Sequence, residues 1–282
     1  MVETARNRNC AKLPVKNKTD LHMTSGWHRV WALIKEPEMN KFWMALAMLP
    51  MATHAVASAP AVGDLAFVSI NADEDGFALV SFVDLAAGSQ LFMTDQAWDG
   101  GQVGSGGAFT GAGGVLEWTV DSAFAAGSVV RFSAVQSAST IGSTHGSVLR
   151  TSGNMSLALT EERLYLFAMD GSGVVPLAAI GNVSDFSAEL TGSSLDGASL
   201  TLSGRVDFAE YAGPRSGESA LTDYRSKVLD PTQWTIRTST DEAATVPKMT
   251  SFSVVSAVPE SNAYLMMLAG LGMISVVAHR RR

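Results

Sequence analysis

At 282 residues the chain is long enough for one large domain or two small ones. Between Ser58 and Val258 there are nine Lys and Arg against 22 Asp and Glu, a net charge of −13. Such an acidic surface argues against nucleic acid as a partner, because phosphate binding needs a basic patch. The single cysteine, Cys10, precedes this segment, which therefore offers no disulfide, thiolate metal site or thiol nucleophile. His145 is its only histidine and the only imidazole base available to a serine triad.

A secretory signal peptide is predicted over residues 39–57. Lys41 opens it, an apolar run follows, and Ala55 and Ala57 form an Ala-x-Ala cleavage motif. Cleavage after Ala57 would give a mature N-terminus at Ser58 and send the chain through the Sec machinery.

The basic segment over residues 1–38 has no sustained apolar periodicity. We interpret it as an extension that arises from a start codon assigned too early, with Met39 as the true start. The alternative is that translation starts at Met1 and that the signal peptide has a long n-region.

From residue 58 to residue 240 short apolar runs alternate with turn residues. The runs are rich in β-branched and aromatic residues, which favours strands. The predicted strands are residues 65–70, 77–83, 89–94, 115–120, 128–135, 163–168, 174–180, 199–202 and 206–211. This spacing predicts an all-β domain, an antiparallel sandwich, rather than alternating strands and helices.

Two segments depart from the strand pattern. Leu221, Tyr224 and Val228 recur at i, i+3 and i+7, which predicts one short helix over roughly residues 218–229. Between residues 99 and 114 eight of sixteen residues are glycine, which predicts a long mobile loop without strand or helix.

The turn after the first predicted strand contains candidate metal ligands. Asn71, Asp73 and Asp75 occupy positions 1, 3 and 5 of a loop with Gly76 at position 6, like the start of a calcium loop. Position 12 would be Phe82, where an EF-hand needs a bidentate glutamate, so this is not an EF-hand. A solvated hairpin turn is the simpler interpretation, and a weak Ca²⁺ site is the alternative. No other cofactor is expected.

A second candidate site lies where a predicted strand meets the glycine-rich segment. Asp95, Trp98 and Asp99 could form an exposed aromatic platform for a ligand, although Trp98 could instead close the edge of the sandwich. Glu161 and Glu162 are adjacent, and neighbouring strand residues point to opposite faces. We therefore do not expect them to act as an acid–base pair on one substrate.

The C-terminal region is predicted to be a stalk followed by a membrane helix. Residues 241–257 are polar and rich in Ser and Thr, which is typical of a stalk. The apolar run over residues 263–278 would span about 24 Å as a helix, and Tyr264 and the final arginines can extend it toward the ~30 Å hydrocarbon core. The three arginines predict a cytoplasmic C-terminus. A buried core helix is the alternative.

The order of these C-terminal parts resembles the PEP-CTERM sorting signal, also known as the ice-binding protein C-terminal domain. The matching residues are Val258, Pro259, Glu260, Arg280, Arg281 and Arg282, together with the helix between them. Ser261 stands where the family usually has a second proline. The resemblance covers residues 258–282 and implies a transient anchor in the inner membrane of a Gram-negative bacterium. Cleavage by an exosortase near the Pro-Glu motif would then place the protein on the cell surface or in an exopolysaccharide matrix.

Motifs of the central region are also similar to a module of secreted bacterial proteins. They lie at residues 63–67, 92–100, 116–119 and 233–235, where the sequence reads GDLAF, FMTDQAWDG, LEWT and QWT. The resemblance implies a lamin-tail-like, immunoglobulin-like sandwich and brings no catalytic residue with it.

Two functions of different class are compatible with these observations. The first is a non-enzymatic surface or biofilm-matrix protein, with exopolysaccharide as a candidate partner. The second is a secreted hydrolase that uses Asp95 and Asp99. Ice binding is not supported, because an ice-binding solenoid needs a fixed repeat that this sequence lacks.

Overall fold

The computed structural model describes residues 59–98, 109–171, 173–184, 186–255, 267–269 and 279–280. The predicted signal peptide and the motif of Val258, Pro259 and Glu260 lie outside these residues. Of the predicted membrane helix, only residues 267–269 are described, and they are helical. No helix within the described ranges is long and apolar enough to cross a bilayer.

The described residues form two six-stranded sheets and a two-stranded ribbon. The strands are β1 (Leu65–Asn71), β2 (Gly76–Ser81), β3 (Gln90–Thr94), β4 (Ala97–Trp98), β5 (Phe109–Thr110), β6 (Val115–Thr119), β7 (Val129–Ser133), β8 (Gly142–Ser143), β9 (Ser147–Ser152), β10 (Arg163–Asp170), β11 (Gly173–Gly181), β12 (Ser199–Thr201), β13 (Phe208–Tyr211) and β14 (Trp234–Arg237). The first sheet has the order β14-β13-β1-β2-β7-β8, the second has the order β12-β11-β10-β3-β6-β9, and β4 pairs with β5.

The all-β prediction is confirmed, and each predicted strand overlaps an observed one. The prediction of a purely antiparallel arrangement is wrong at one place, because β11 and β12 pair in parallel. Strands β4, β5, β8, β9 and β14 were not expected from the sequence.

Burial differs between the central and the outer strands of the two sheets. All seven residues of β1 and all six of β2 are buried, so both faces of these strands are covered. In β6, by contrast, Leu116 and Trp118 point into the core while Glu117 points outward and accepts a hydrogen bond from Gln90. Continuous apolar runs therefore mark the strands that are covered on both faces.

The helical content is larger than the single predicted helix. The predicted helix is present as a 3-10 turn, Leu221–Asp223, that continues into α2 (Tyr224–Val228). A second helix, α1 (Phe186–Leu190), was missed. It buries Phe186 and Leu190 in a smaller apolar cluster with Tyr165, separate from the main core.

The glycine-rich segment contains a short strand, which the sequence analysis excluded. Phe109 pairs with Trp98 in the ribbon of β4 and β5, and their rings meet edge to face at 4.9 Å between centroids. Phe109 also lies 5.2 Å from the ring of Tyr165. Aromatic packing on the second sheet therefore holds this strand despite its glycine-rich neighbours.

The predicted stalk is instead docked on the sandwich as far as the described chain extends, so the domain does not end at residue 240. We call residues 241–255 the C-terminal strap. Near its start, the backbone N–H of Glu242 donates to Asp73 at 2.8 Å, and the side-chain amide of Asn71 donates to the carbonyl oxygen of Glu242 at 2.8 Å. At its end, the N–H of Val255 donates to the carbonyl oxygen of Glu218 at 2.9 Å.

Phe252 is the apolar anchor of the strap. Its side chain is 3 % exposed and its ring packs against those of Tyr211 and Tyr224, at 5.8 and 5.1 Å between centroids. The guanidinium of Arg215 lies 5.0 Å from the same ring and donates to the carbonyl oxygens of Lys248 and of Thr250 at 2.9 and 2.8 Å. Extended backbone without periodic apolar residues is therefore held by one aromatic side chain and one buried cation.

Replacing Phe252 by Ala should lower the free energy of unfolding of the domain by about 3–5 kcal/mol, the usual cost of emptying an aromatic site in a core. Urea denaturation of a chain that spans residues 58–255 measures the effect. The matched control is Val254→Ala, since Val254 is 42 % exposed. The control should change the stability by less than about 0.5 kcal/mol. Equal stabilities of the Phe252 variant and the parent would support the stalk and contradict the docked strap.

Candidate functional site

A polar pocket of about 300 Å³ lies where β3 ends and β10 begins. Its lining includes Asp95, Gly113, Asn154, Ser156, Glu161 and Glu162. The pocket therefore combines one predicted ligand-binding residue with the two glutamates that the sequence analysis set aside.

The linker between β9 and β10 forms one wall of the pocket. Its residues Met155 and Leu157 are buried in the main core, whereas Ser156 and Ala158 between and beside them are exposed. The linker belongs to no strand over residues 153–160, and buried N–H groups outside a ladder need other acceptors.

Three carboxylates from three parts of the chain supply these acceptors. The N–H of Ser156 donates to Asp95 at 3.0 Å. The N–H of Leu157 donates to Asp75 at 2.7 Å, and the N–H of Ala158 donates to Glu162 at 2.5 Å. We call this arrangement, three carboxylates on three successive amides, the carboxylate clasp.

The remaining carboxylate oxygens of two clasp residues are also used. The second oxygen of Asp95 accepts from the N–H of Gly114 at 2.6 Å, and that of Glu162 accepts from the N–H of Arg163 at 3.0 Å. Glu162 is fixed further, because its own N–H donates to the side-chain oxygen of Asn182 at 2.6 Å. These acids therefore act first as structural acceptors for backbone.

Burial shifts the proton equilibria of the clasp upward. Desolvation raises the pKa of Glu162 to about 7, and the charges of Asp95 and Asp75 add to the increase, while the hydrogen bonds from Ala158 and Arg163 oppose it. Desolvation also raises the pKa values of Asp75 and of Asp95 above the ordinary aspartate value. A carboxyl group with a pKa near 7 carries a proton for part of the time in neutral solution.

Glu161 and Glu162 both line this pocket, which corrects the expectation that they diverge. That expectation assumed strand geometry, but β10 begins only at Arg163. Glu161 adopts φ = 59°, in the left-handed region that non-glycine residues seldom occupy. The change in backbone direction removes the alternation of a strand.

The second predicted site is divided by the structure. Asp95 points to the pocket and the clasp, whereas Trp98 is half-buried against Phe109 on the second apolar cluster. Asp99 lies outside the described residues. The indole N–H of Trp98 is buried and has no hydrogen-bond partner among the described residues.

The oxygen side chains of the predicted calcium turn bind backbone from two separate segments. Asn71 and Asp73 contact the strap at Glu242, and Asp75 contacts Leu157. Among the described residues, no group of three His, Cys, Asp or Glu side chains could hold a metal ion. A weak Ca²⁺ site at this turn stays a prediction, and binding there would compete with these hydrogen bonds.

His145 packs beside an aromatic ring rather than beside a nucleophile. Its ring centroid lies 4.7 Å from that of Phe124, and its Nε2 is 3.1 Å from the carbonyl oxygen of Ser122. Its carbonyl oxygen accepts the indole N–H of Trp118 at 2.8 Å.

Comparisons with protein-family models, with curated proteins and with solved structures give no match for this chain.

Sequence reasoning missed Glu162 as a partner of Asp95, because the two residues are 67 positions apart and meet only when β3 and β10 pair. The apolar runs around both residues predicted their strands, but strand pairing cannot be read from runs alone.

Replacing Asn71 by Ala should destabilise the domain by about 1–3 kcal/mol, because the carbonyl oxygens of Glu242 and Thr245 each lose a hydrogen bond from the side-chain amide of Asn71. Thermal or urea unfolding in the presence of a chelator measures this loss. The matched control is Asn154→Ala, since Asn154 is exposed. A parent whose stability rises with millimolar Ca²⁺, and a variant that loses this response, would instead establish the turn as a Ca²⁺ site.

Proposed function

We propose that the protein is exported from a Gram-negative bacterium through the Sec machinery, held briefly in the inner membrane, and processed by an exosortase. The order of parts in the tail carries this proposal: the Val-Pro-Glu motif at residues 258–260, the apolar run and the three final arginines. The signal-peptide pattern ending at Ala57 supports it, because both patterns direct the same acidic domain across the membrane. The mature protein is then a component of the cell surface or of the exopolysaccharide matrix of a biofilm.

We further propose that the sandwich is a lamin-tail-like, immunoglobulin-like module. The motifs that carry this resemblance fall on elements of the core: residues 63–67 lead into β1, and residues 116–119 form most of β6. The twelve strands of the two sheets exceed the seven of a constant-type immunoglobulin domain, so the module would carry additions such as β9 and β14.

The role of this module is proposed to be binding or structural rather than catalytic. One observation supports a non-enzymatic role. Each carboxylate oxygen of Asp95 and Glu162 accepts a hydrogen bond from a backbone N–H group. A general base needs a lone pair directed at the substrate, and each of these oxygens already has one of its two lone pairs engaged by the backbone. The ligand class that we propose is the matrix exopolysaccharide, with the pocket lined by Asp95, Ser156 and Glu161 as its contact region.

Mass spectrometry of the protein from matrix and medium tests the export proposal. The extracellular species should begin near Ser58 and end near Pro259, and it should be missing from a strain without the exosortase. Recovery of extracellular protein that still carries Arg280, Arg281 and Arg282 would contradict the proposal.

The alternative function is a secreted hydrolase with Asp95 as one of its acids. The observation that favours it is the shared pocket of Asp95 and Glu162, combined with a pKa of about 7 for Glu162. An acid of that pKa can donate a proton near neutral pH, as the general acid of a glycosidase does.

Assays on glycosidic and ester substrates with the parent and with Asp95→Asn distinguish the two functions. The binding role predicts no turnover in either protein. Turnover that falls by about 100-fold or more in the variant, at unchanged stability, would establish the hydrolase.

A further inference from the structure

We propose that the carboxylate clasp is a pH-sensitive latch, which keeps residues 154–158 closed on the sandwich in acidic solution and releases them as the solution approaches neutral pH. Release would move the linker wall of the 300 Å³ pocket and so enlarge its opening. The inference concerns the mature domain itself and does not depend on the sorting signal.

The linker is held on both sides by hydrogen bonds, and its residues Met155 and Leu157 are buried. On its N-terminal side, Ser156, Leu157 and Ala158 are held by the clasp carboxylates. On its C-terminal side, the carbonyl oxygen of Leu159 accepts hydrogen bonds from the side chain of Asn182 and the N–H of Val206, both at 2.8 Å. The two ends are thus fixed by different chemistry, and only the first depends on ionisable groups.

The clasp concentrates negative charge that its neighbours do not offset fully. Asp75 comes from the β1–β2 turn, Asp95 follows β3, Glu162 precedes β10, and Glu161 lines the same pocket. On the basic side, Arg163 also lines the pocket, and its guanidinium forms an ion pair with Glu189 of α1.

A second nearby cation, Arg131, is paired with an acid outside the clasp. Arg131 of β7 forms an ion pair with Glu74, the residue before Asp75. Ionisation of Glu162 therefore adds a charge beside Asp95 and Asp75, and both charges oppose it.

The sign of the pH effect follows from proton linkage. In the closed clasp the pKa of Glu162 is raised from its ordinary value of 4.5 to about 7, and opening returns the group to water and to its ordinary pKa. The closed state thus binds the proton more tightly than the open state does. The advantage, meaning the extra stability of the closed state that comes from protonated Glu162, is fully present below pH 4.5. The advantage is lost as the pH rises to about 7 and changes no further above it.

The hydrogen bonds of Glu162 act in the opposite direction, because an ionised carboxylate is the stronger acceptor. The net direction of the pKa change is upward, so desolvation and repulsion outweigh them.

Native-state hydrogen exchange on the folded domain tests the latch. Amides of residues 156–158 are compared at about pH 5 and about pH 8, after correction for the intrinsic exchange rate, with β2 amides as the internal reference for global unfolding. Their opening constant should rise at least about tenfold, because a pKa that differs by one between two states changes their equilibrium constant by a factor of about ten. Amides of β2 should report a smaller change.

Glu162→Gln should remove most of this rise, because glutamine does not titrate. Its matched control is Glu161→Gln, which changes an exposed acid of the same pocket and should leave the rise intact. An unchanged opening constant in the parent, a decrease toward alkaline pH, or a full response in Glu162→Gln would overturn the proposal.

A pH series on the parent protein decides the matter if Glu162→Gln does not fold. The latch requires that the opening constant rise between about pH 4.5 and pH 7 and reach a plateau above about pH 7. A change confined to another range, or a parallel change in the β2 amides, would assign the effect to global unfolding and contradict the latch.

Discussion

Burial of both faces of β1 and β2 is the constraint on which the rest of this sandwich depends. The second sheet covers one face, and the other requires cover from chain that comes much later. Helix α2 packs on β1, and Phe252 of the strap meets Phe82 just beyond β2, at 6.2 Å between ring centroids. The buried rings of Tyr224 and Phe252 belong to the same core cluster as β1 and β2. A strand near the start of the domain is therefore completed only by residues near its end.

The same requirement to cover and satisfy buried backbone explains the acids near the pocket. The linker that carries Met155 and Leu157 into the core belongs to no strand, so its amides need acceptors other than those of a strand ladder. Carboxylates are the strongest acceptors available, but three of them in one half-buried place repel one another. The clasp fixes the direction of the linker despite this repulsion. Desolvation and the repulsion together raise the pKa values of Asp75 and Glu162.

The sequence predicted the strands that bury apolar side chains and missed those defined by pairing. Runs such as Leu164 to Phe167 allow few alternatives, since their burial requires a sheet. Strand β9 is polar and largely exposed, with Leu149 64 % exposed, and it is a strand only because β6 lies beside it. Long-range pairing leaves no local sequence pattern from which such a strand could be predicted.

Two features of the site were unpredictable for related reasons. The left-handed backbone at Glu161 is not encoded by a glycine or an asparagine, so it depends on tertiary contacts. The convergence of Asp75, Asp95 and Glu162 depends on how two sheets are stacked. The strap was mistaken for a stalk because many of its contacts are made by its backbone, and Phe252 is its single aromatic anchor. Neither kind of contact can be read from the composition of the segment.

The docked strap also sets how far the domain can stand from an anchor. If residues 241–257 were a free stalk, more than twenty residues would separate the sandwich from the predicted membrane helix at Ala263. With Val255 docked, eight peptide links remain, which reach at most about 29 Å when fully extended. A domain with a net charge of −13 would then be held close to lipid head groups, within a few Debye lengths of their charge.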